Sequence, residues 1–120
     1  VSDYRVSCIR HTKTGSQIKA RKINTEQGQI SVELSPTPKI IHQLHRWYPK
    51  AKIIGWKYEV EGDRESAVTA ARDQIKKCRT NACVANGPGY GEGFALVTTD
   101  AVKHSPNAGD LFKQLVKFIE

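Results

Sequence analysis

The amino-acid sequence predicts an α/β fold, a layered sheet with flanking helices, and three observations predict it. Apolar runs of strand length alternate with amphipathic helical segments, as when crossover helices cover the faces of parallel strands. A Gly-rich link follows directly on a short, uniformly apolar run, which is where open α/β sheets place a ligand crevice. An early basic segment shows strand alternation and reads as a hairpin.

Taken in order, residues 3–7 suit a short strand, and a polar stretch through Gln17 suits a loop. Ile18 to Ile23 and Ile30 to Leu34 read as the two strands of a basic hairpin, because Ile30, Val32 and Leu34 alternate with Ser31 and Glu33. Thr37 and Pro38 form a helix start, and Ile40, Ile41, Leu44, Trp47 and Tyr48 then share a face until Pro49. Lys52 to Val60 reads as a strand. Asp63 caps a second helix presenting Ala67, Ala71, Ile75 and Cys78 together. Ala82 to Ala85 and Phe94 to Thr99 are buried strands joined through Gly87, Gly89, Gly91 and Gly93. Ser105 and Pro106 open a last helix with Leu111, Leu115 and Ile119 on one side.

The length of 120 residues suits a single domain spanning 1–120. No apolar run approaches the roughly 18 residues of a membrane span, and no signal peptide is visible, so a soluble, cytoplasmic protein is expected. The start at Val1 and the absence of Met suggest a segment of a larger product. Cys8, Cys78 and Cys83 form no C-x-x-C pair, which argues against a disulfide framework or zinc site. The formal charge is +7, and residues 1–22 hold six Lys or Arg against the single acid Asp3. Such a local excess points to a phosphate-bearing partner.

Each candidate constellation also has an ordinary structural explanation. Lys13 to Lys22 could neutralise a triphosphate, or could simply protect an exposed edge hairpin from aggregation. Asn86 and the following glycines could approach a ligand, yet they lack the G-x-G-x-x-G spacing and a Walker lysine, so a plain turn competes. His42 and His45 have helix metal-ligand spacing without a carboxylate companion, which favours a solvated helix surface. Trp47 and Trp56 are expected in the core. No nucleophile, base and orienting acid can be assembled.

The same segments resemble one family in collinear order. Val1-Ser-Asp-Tyr-Arg-Val6 is similar to the A-V-A/S-D-Y/F strand of phosphopantothenoylcysteine synthetases, and Gln17-Ile-Lys-Ala-Arg-Lys22 to their K-x-K-K flap. Leu34-Ser-Pro-Thr-Pro-Lys-Ile-Ile41 resembles the L-x-x-T-P-K/D-I-I element, Gly55-Trp-Lys-Tyr-Glu59 the G-F-x-x-E strand, and Val84-Ala-Asn86 the V-A-N-D turn. Gly87 stands where an acid commonly follows the Ala-Asn pair, Trp56 where Phe is usual, and Asn81 where an acid often precedes the buried strand.

The resemblance implies a Rossmann-like sheet with a protruding basic β-hairpin flap at about 8–34. It also implies that the chain is the carboxyl-terminal half of a larger nucleotide-binding ligase domain, dimerising through that flap. The implied reaction activates the 4′-phosphopantothenate carboxylate with CTP, or ATP, and Mg²⁺ before cysteine attacks. Carried over, Lys19 is the catalytic flap lysine, while Asp3, Lys13, Lys22, Trp56, Asn86 and Lys77 bind nucleotide and Asp3 also serves the metal. The Gly-rich amino-terminal half of that site has no counterpart in residues 1–120. Two rival readings are a nucleic-acid-binding module using the basic arm, disfavoured because no aromatic residues interleave with the charges, and a catalytically silent relative acting in assembly.

Overall fold

The computed structural model describes residues 3–20 and 22–120. The chain divides into two compact units, Val1–Lys39 and Ile40–Glu120.

In the first unit, β1 (Tyr4–His11) pairs antiparallel with β2 (Ile30–Pro36). Val6 and Ile9 lie three apart, so strict alternation would send them to opposite faces. A bulge between Val6 and Cys8 absorbs one residue, which sets Val6 opposite Leu34 and Ile9 opposite Val32. The hairpin expected between Ile18–Ile23 and Ile30–Leu34 is therefore corrected: the partner of the second strand is Tyr4–His11. The described part of 18–23 has no alternation to offer, only Ile18 and Ile23 around lysines. It attaches instead through a bridge between Gln17 and Arg10 and a bond from Ile18 N to Ile9 O (2.8 Å). Val1, Ser2 and Arg21, which belong to the quoted motifs, lie outside the described residues.

The second unit runs α1 (Ile41–Trp47), β3 (Ile54–Tyr58), α2 (Arg64–Cys78), β4 (Ala82–Asn86), β5 (Phe94–Val97), β6 (Val102–Ser105) and α3 (Ala108–Ile119). Its sheet has the order β3-β4-β5-β6, with β3 and β4 parallel and the other neighbours antiparallel. The β3-α2-β4 crossover is the parallel element that the alternating pattern predicted; the strands beyond it return as hairpins. β4 is covered on both sides, which is why its first four residues are all buried. Cys83 and Ala85 pack with Ala67, Ala71 and Ile75 of α2, while Ala82 and Val84 pack with Leu111 of α3.

The α2 face Ala67, Ala71, Ile75 and Cys78 is buried as its spacing predicts, and Asp63 caps the helix. Its carboxylate accepts from Ser66 N (2.8 Å) while Ser66 Oγ accepts from Asp63 N (2.9 Å), a closed capping box.

Four expectations are corrected. α1 begins at Ile41, not at Thr37, because Thr37 N is bonded to Asp3 O (2.9 Å) within the first unit. Ser105 does not open α3; it is fully buried at the end of β6, and Asn107 caps the helix by accepting from Asp110 N (2.9 Å). Phe118, not Ile119, completes the inner stripe of α3, since 111, 115 and 118 follow the i, i+4, i+7 spacing. Trp47 and Trp56 are not core residues but are 53% and 48% exposed.

The Asp63 cap has a pH consequence. Hydrogen bonding from Ser66 holds the Asp63 carboxyl below its ordinary value of 3.8. A depressed carboxylate stabilises above its unfolded value, and that contribution disappears as pH falls through the folded one. Asn caps at every pH, so Asp63→Asn is expected to flatten the acid limb of the thermal midpoint between roughly pH 5 and 2. Identical slopes in parallel melts of the two proteins would contradict the role given to this cap.

Candidate functional site

The carboxyl ends of the parallel strands β3 and β4 are joined by backbone hydrogen bonds. Glu59 N donates to Asn86 O (2.8 Å), and Gly89 N donates to Glu59 O (2.9 Å). This approach requires glycine twice. A Cβ at Gly87, whose φ is +114°, would collide with the Glu59 backbone, and one at Gly89 would meet the Glu61 carbonyl. The Gly-rich link is thus a fixed loop, further closed by Tyr90 N and Gly91 N donating to Gly87 O (3.0 and 3.1 Å).

Beside this loop, side chains of β3 and β4 meet. Trp56 Nε1 donates to Asn86 Oδ1 (2.8 Å), and the indole meets Phe94 edge-on at 6.2 Å. About half of the Trp56 surface stays exposed, so part of the indole is open to a partner beside an amide. Because the Asn86 oxygen is spent on the indole, its amide nitrogen, a donor, points away from Trp56.

Behind this pair, Tyr90 is buried, and its hydroxyl lies 2.8 Å from His104 Nδ1. The Arg64 guanidinium sits 4.8 Å from the Tyr90 ring centre and donates through Nε to Tyr90 O (3.4 Å). Burial raises the Tyr90 phenol, and Arg64 opposes that rise. Tyr90, His104, Arg64 and Phe94 were not singled out in the sequence; a lone Tyr inside a glycine run was the one available signal.

The other candidates are distributed as follows. Lys77 lies in the last turn of α2, roughly 20 Å along the helix from Arg64, so it is not brought to the Trp56–Asn86 pair. Asp3, Lys13, Lys19 and Lys22 belong to the first unit. Asp3 is exposed beside β1, and Lys13 lines a groove of about 640 Å³ together with His11, Thr14 and Glu26. Lys19 and Lys22 are exposed outside that lining. His42, expected on a solvated surface, is exposed but has Nδ1 3.7 Å from Cys78 Sγ. Cys83 donates to Gln74 Oε1 (2.8 Å), and burial pushes its thiol up to about 12.

No family model matches the chain. It is 34% identical over 87 residues to the coenzyme A biosynthesis bifunctional protein CoaBC of Thermococcus kodakarensis, covering 72% of this chain and 19% of that one. The CoaBC protein of Methanocaldococcus jannaschii is 24% identical over 106 residues, covering 82% of this chain and 26% of its own. The chain thus spans about a fifth to a quarter of the curated relatives it matches. Among solved structures, the DNA/pantothenate metabolism flavoprotein from Streptococcus pneumoniae superposes with a TM-score of 0.82 at 20% identity, over 99% of this chain and 58% of that one. A Cab2 mutant superposes with a TM-score of 0.63 at 16% identity, over 98% and 42%.

Fold and candidate site together define an α/β domain in which a parallel crossover and a glycine loop build the carboxyl end of the sheet. The relatives make this class specific. The chain is CoaB-like, similar over most of its length to a segment of the CoaBC proteins.

Two outcomes follow from the packing. Gly87→Ala is expected to lower the unfolding free energy by about 2–3 kcal/mol in urea titrations, through left-handed strain and collision with Glu59; a loss under about 0.5 kcal/mol would contradict the close approach. In a thiol titration at mildly alkaline pH, half-buried Cys8 is expected to react first, with buried Cys78 and Cys83 reacting only on denaturation. Rapid reaction of Cys83 in the folded protein would contradict its burial.

Proposed function

We propose that the chain serves coenzyme A biosynthesis as part of a ligase that condenses 4′-phosphopantothenate with cysteine after activation by CTP or ATP. The observation that carries this reading is the Trp56–Asn86 pair at the carboxyl ends of two parallel strands, in a chain related to CoaBC proteins. Trp56 would stack on the base, and Asn86 would hydrogen-bond its edge. Lys19, with Lys13 and Lys22, would neutralise the triphosphate as charge moves onto departing pyrophosphate.

Mg²⁺ takes one or two carboxylates plus substrate phosphates, which a lone exposed Asp3 fits; among the described residues no cluster of three ligating side chains competes with it. When bound, the ion would supply charge neutralisation at those phosphates. Lys77, remote from the pair along α2, lies well beyond a Debye length from it and would contribute little there. The activity of the whole protein would require the amino-terminal half of the site, and pairing of two copies through the hairpin would set the active assembly. Among the described residues no helix is long and apolar enough to cross a membrane.

Calorimetric titration of the natural full-length polypeptide with MgCTP and MgATP tests the reading. Saturable binding is expected for at least one, weakened about ten-fold or more by Trp56→Ala, Asp3→Ala or Lys19→Ala. Absence of binding, or binding unchanged in these variants, would defeat it.

A further inference from the structure

The second unit carries another concavity, far from Trp56 and Asn86. In the β4–β5 pairing, Ala95 faces Ala85 near the glycine loop, whereas Val97 faces Cys83 at the other end. The turn that follows Val97 therefore lies at the amino end of β4, opposite the candidate site. There a cavity of about 320 Å³ opens between this turn, β6 and α3.

Leu96, Ala101 and Phe118 give it an apolar wall. Its outline is set by the turn itself, in which Thr98 Oγ1 accepts from Ala101 N (3.0 Å) and donates to Ala101 O (3.3 Å). Lys103 and Lys117 also line the cavity. Among the described residues neither has a carboxylate partner, and no acid belongs to the lining. Two ammonium groups beside an apolar wall, with no acid in the lining, form a field that favours an anion. Gln114 completes the lining: its Nε2 donates to His104 O (3.3 Å), while its Oε1 is buried without a partner. Rotation of that amide would present the unmatched acceptor to a ligand that brings a donor.

We propose that this cavity is a binding site for a small organic anion with an apolar body and one O–H or N–H donor. The volume lies at the low end for ligand pockets, which limits the occupant to a single ring or short chain. The carboxylate or phosphate of the ligand meets Lys103 and Lys117, its body lies on Leu96 and Phe118, and its donor serves Gln114. Because the site opens at the other end of the sheet, occupancy does not compete with a ligand at Trp56.

Titration of the full chain with 4-hydroxybenzoate, followed by amide shifts in nitrogen–proton correlation spectra, tests the proposal. Neutral 4-hydroxybenzyl alcohol and inorganic phosphate serve as comparison probes. Saturating shifts centred on Leu96, Thr98, Ala101 and Gln114 are expected with 4-hydroxybenzoate. Binding about five-fold weaker or worse is expected for the alcohol and for Lys103→Ala combined with Lys117→Ala, both lysines being exposed and the fold retained. Equal affinity for the alcohol, an undiminished response in the double variant, shifts reproduced by phosphate alone, or shifts confined to Trp56 would each overturn it.

Discussion

The second unit depends on the backbone contact between Glu59 and the segment from Asn86 to Gly89. Two hydrogen bonds fasten the exits of adjacent parallel strands, and only glycine at 87 and 89 lets the chains come that close. Parallel neighbours are ordinarily joined through a helix, so their exits are free to diverge. Here the contact fixes them, and the Trp56–Asn86 bond inherits its geometry from it. The Arg64–Tyr90–His104 stack behind the loop then fills the space that the turn encloses, which explains why a buried tyrosine sits in a glycine run.

Side-chain size is distributed across the sheet in a way that suits this contact. Toward α2, β4 and β5 present Cys83, Ala85, Ala95 and Val97, while α2 answers with alanines, so helix and sheet lie close. Toward α3 the residues are larger, Val84 and Leu96 against Leu111, Leu115 and Phe118. Ile54 lies under that helix, but Trp56, two residues further along the same face of β3, packs edge-on against Phe94 and remains half exposed. The exposed indole is thus a consequence of where α3 reaches.

Local rules made much of this visible in advance. The α2 face and its Asp63 cap follow from helical periodicity and from Asp as a capping residue, and the buried run at Ala82–Ala85 follows from double coverage of a central strand. What escaped the sequence depended on partners remote in the chain. Ile30–Leu34 alternates equally well whichever strand lies beside it, and the choice of Tyr4–His11 needed a bulge that no composition rule announces. Val102–Ser105 contains Lys103 and His104 and looks like a loop until β5 supplies its hydrogen bonds. Trp56 reads as core from the sequence because large aromatics bury area by default; the resemblance, not hydrophobicity, marks it as a candidate site residue. Its bond to Asn86, thirty positions away, became readable only from parallel register, in which Tyr58 faces Asn86.

Charge explains why the proposed reading cannot rest on the second unit alone. The end of β3, the first turn of α2 and the loops at the exits of β3 and β4 carry Glu59, Glu61, Asp63, Glu65 and Glu92, against Lys57 and Arg64. Lys57 is paired with Glu59 at 3.0 Å, and Arg64 is engaged by the Tyr90 ring and by the carbonyls of Tyr90 and Glu92. A polyphosphate approaching within a Debye length, about 8 Å at physiological ionic strength, would meet mainly negative potential. An aromatic face and an amide suit an uncharged base, but they do nothing for triphosphate charge. If a nucleotide binds there by its base as proposed, its phosphates must be neutralised by cations other than the side chains of these segments. The Trp56–Asn86 pair would then govern which base is accepted and leave the holding of phosphates to groups outside it.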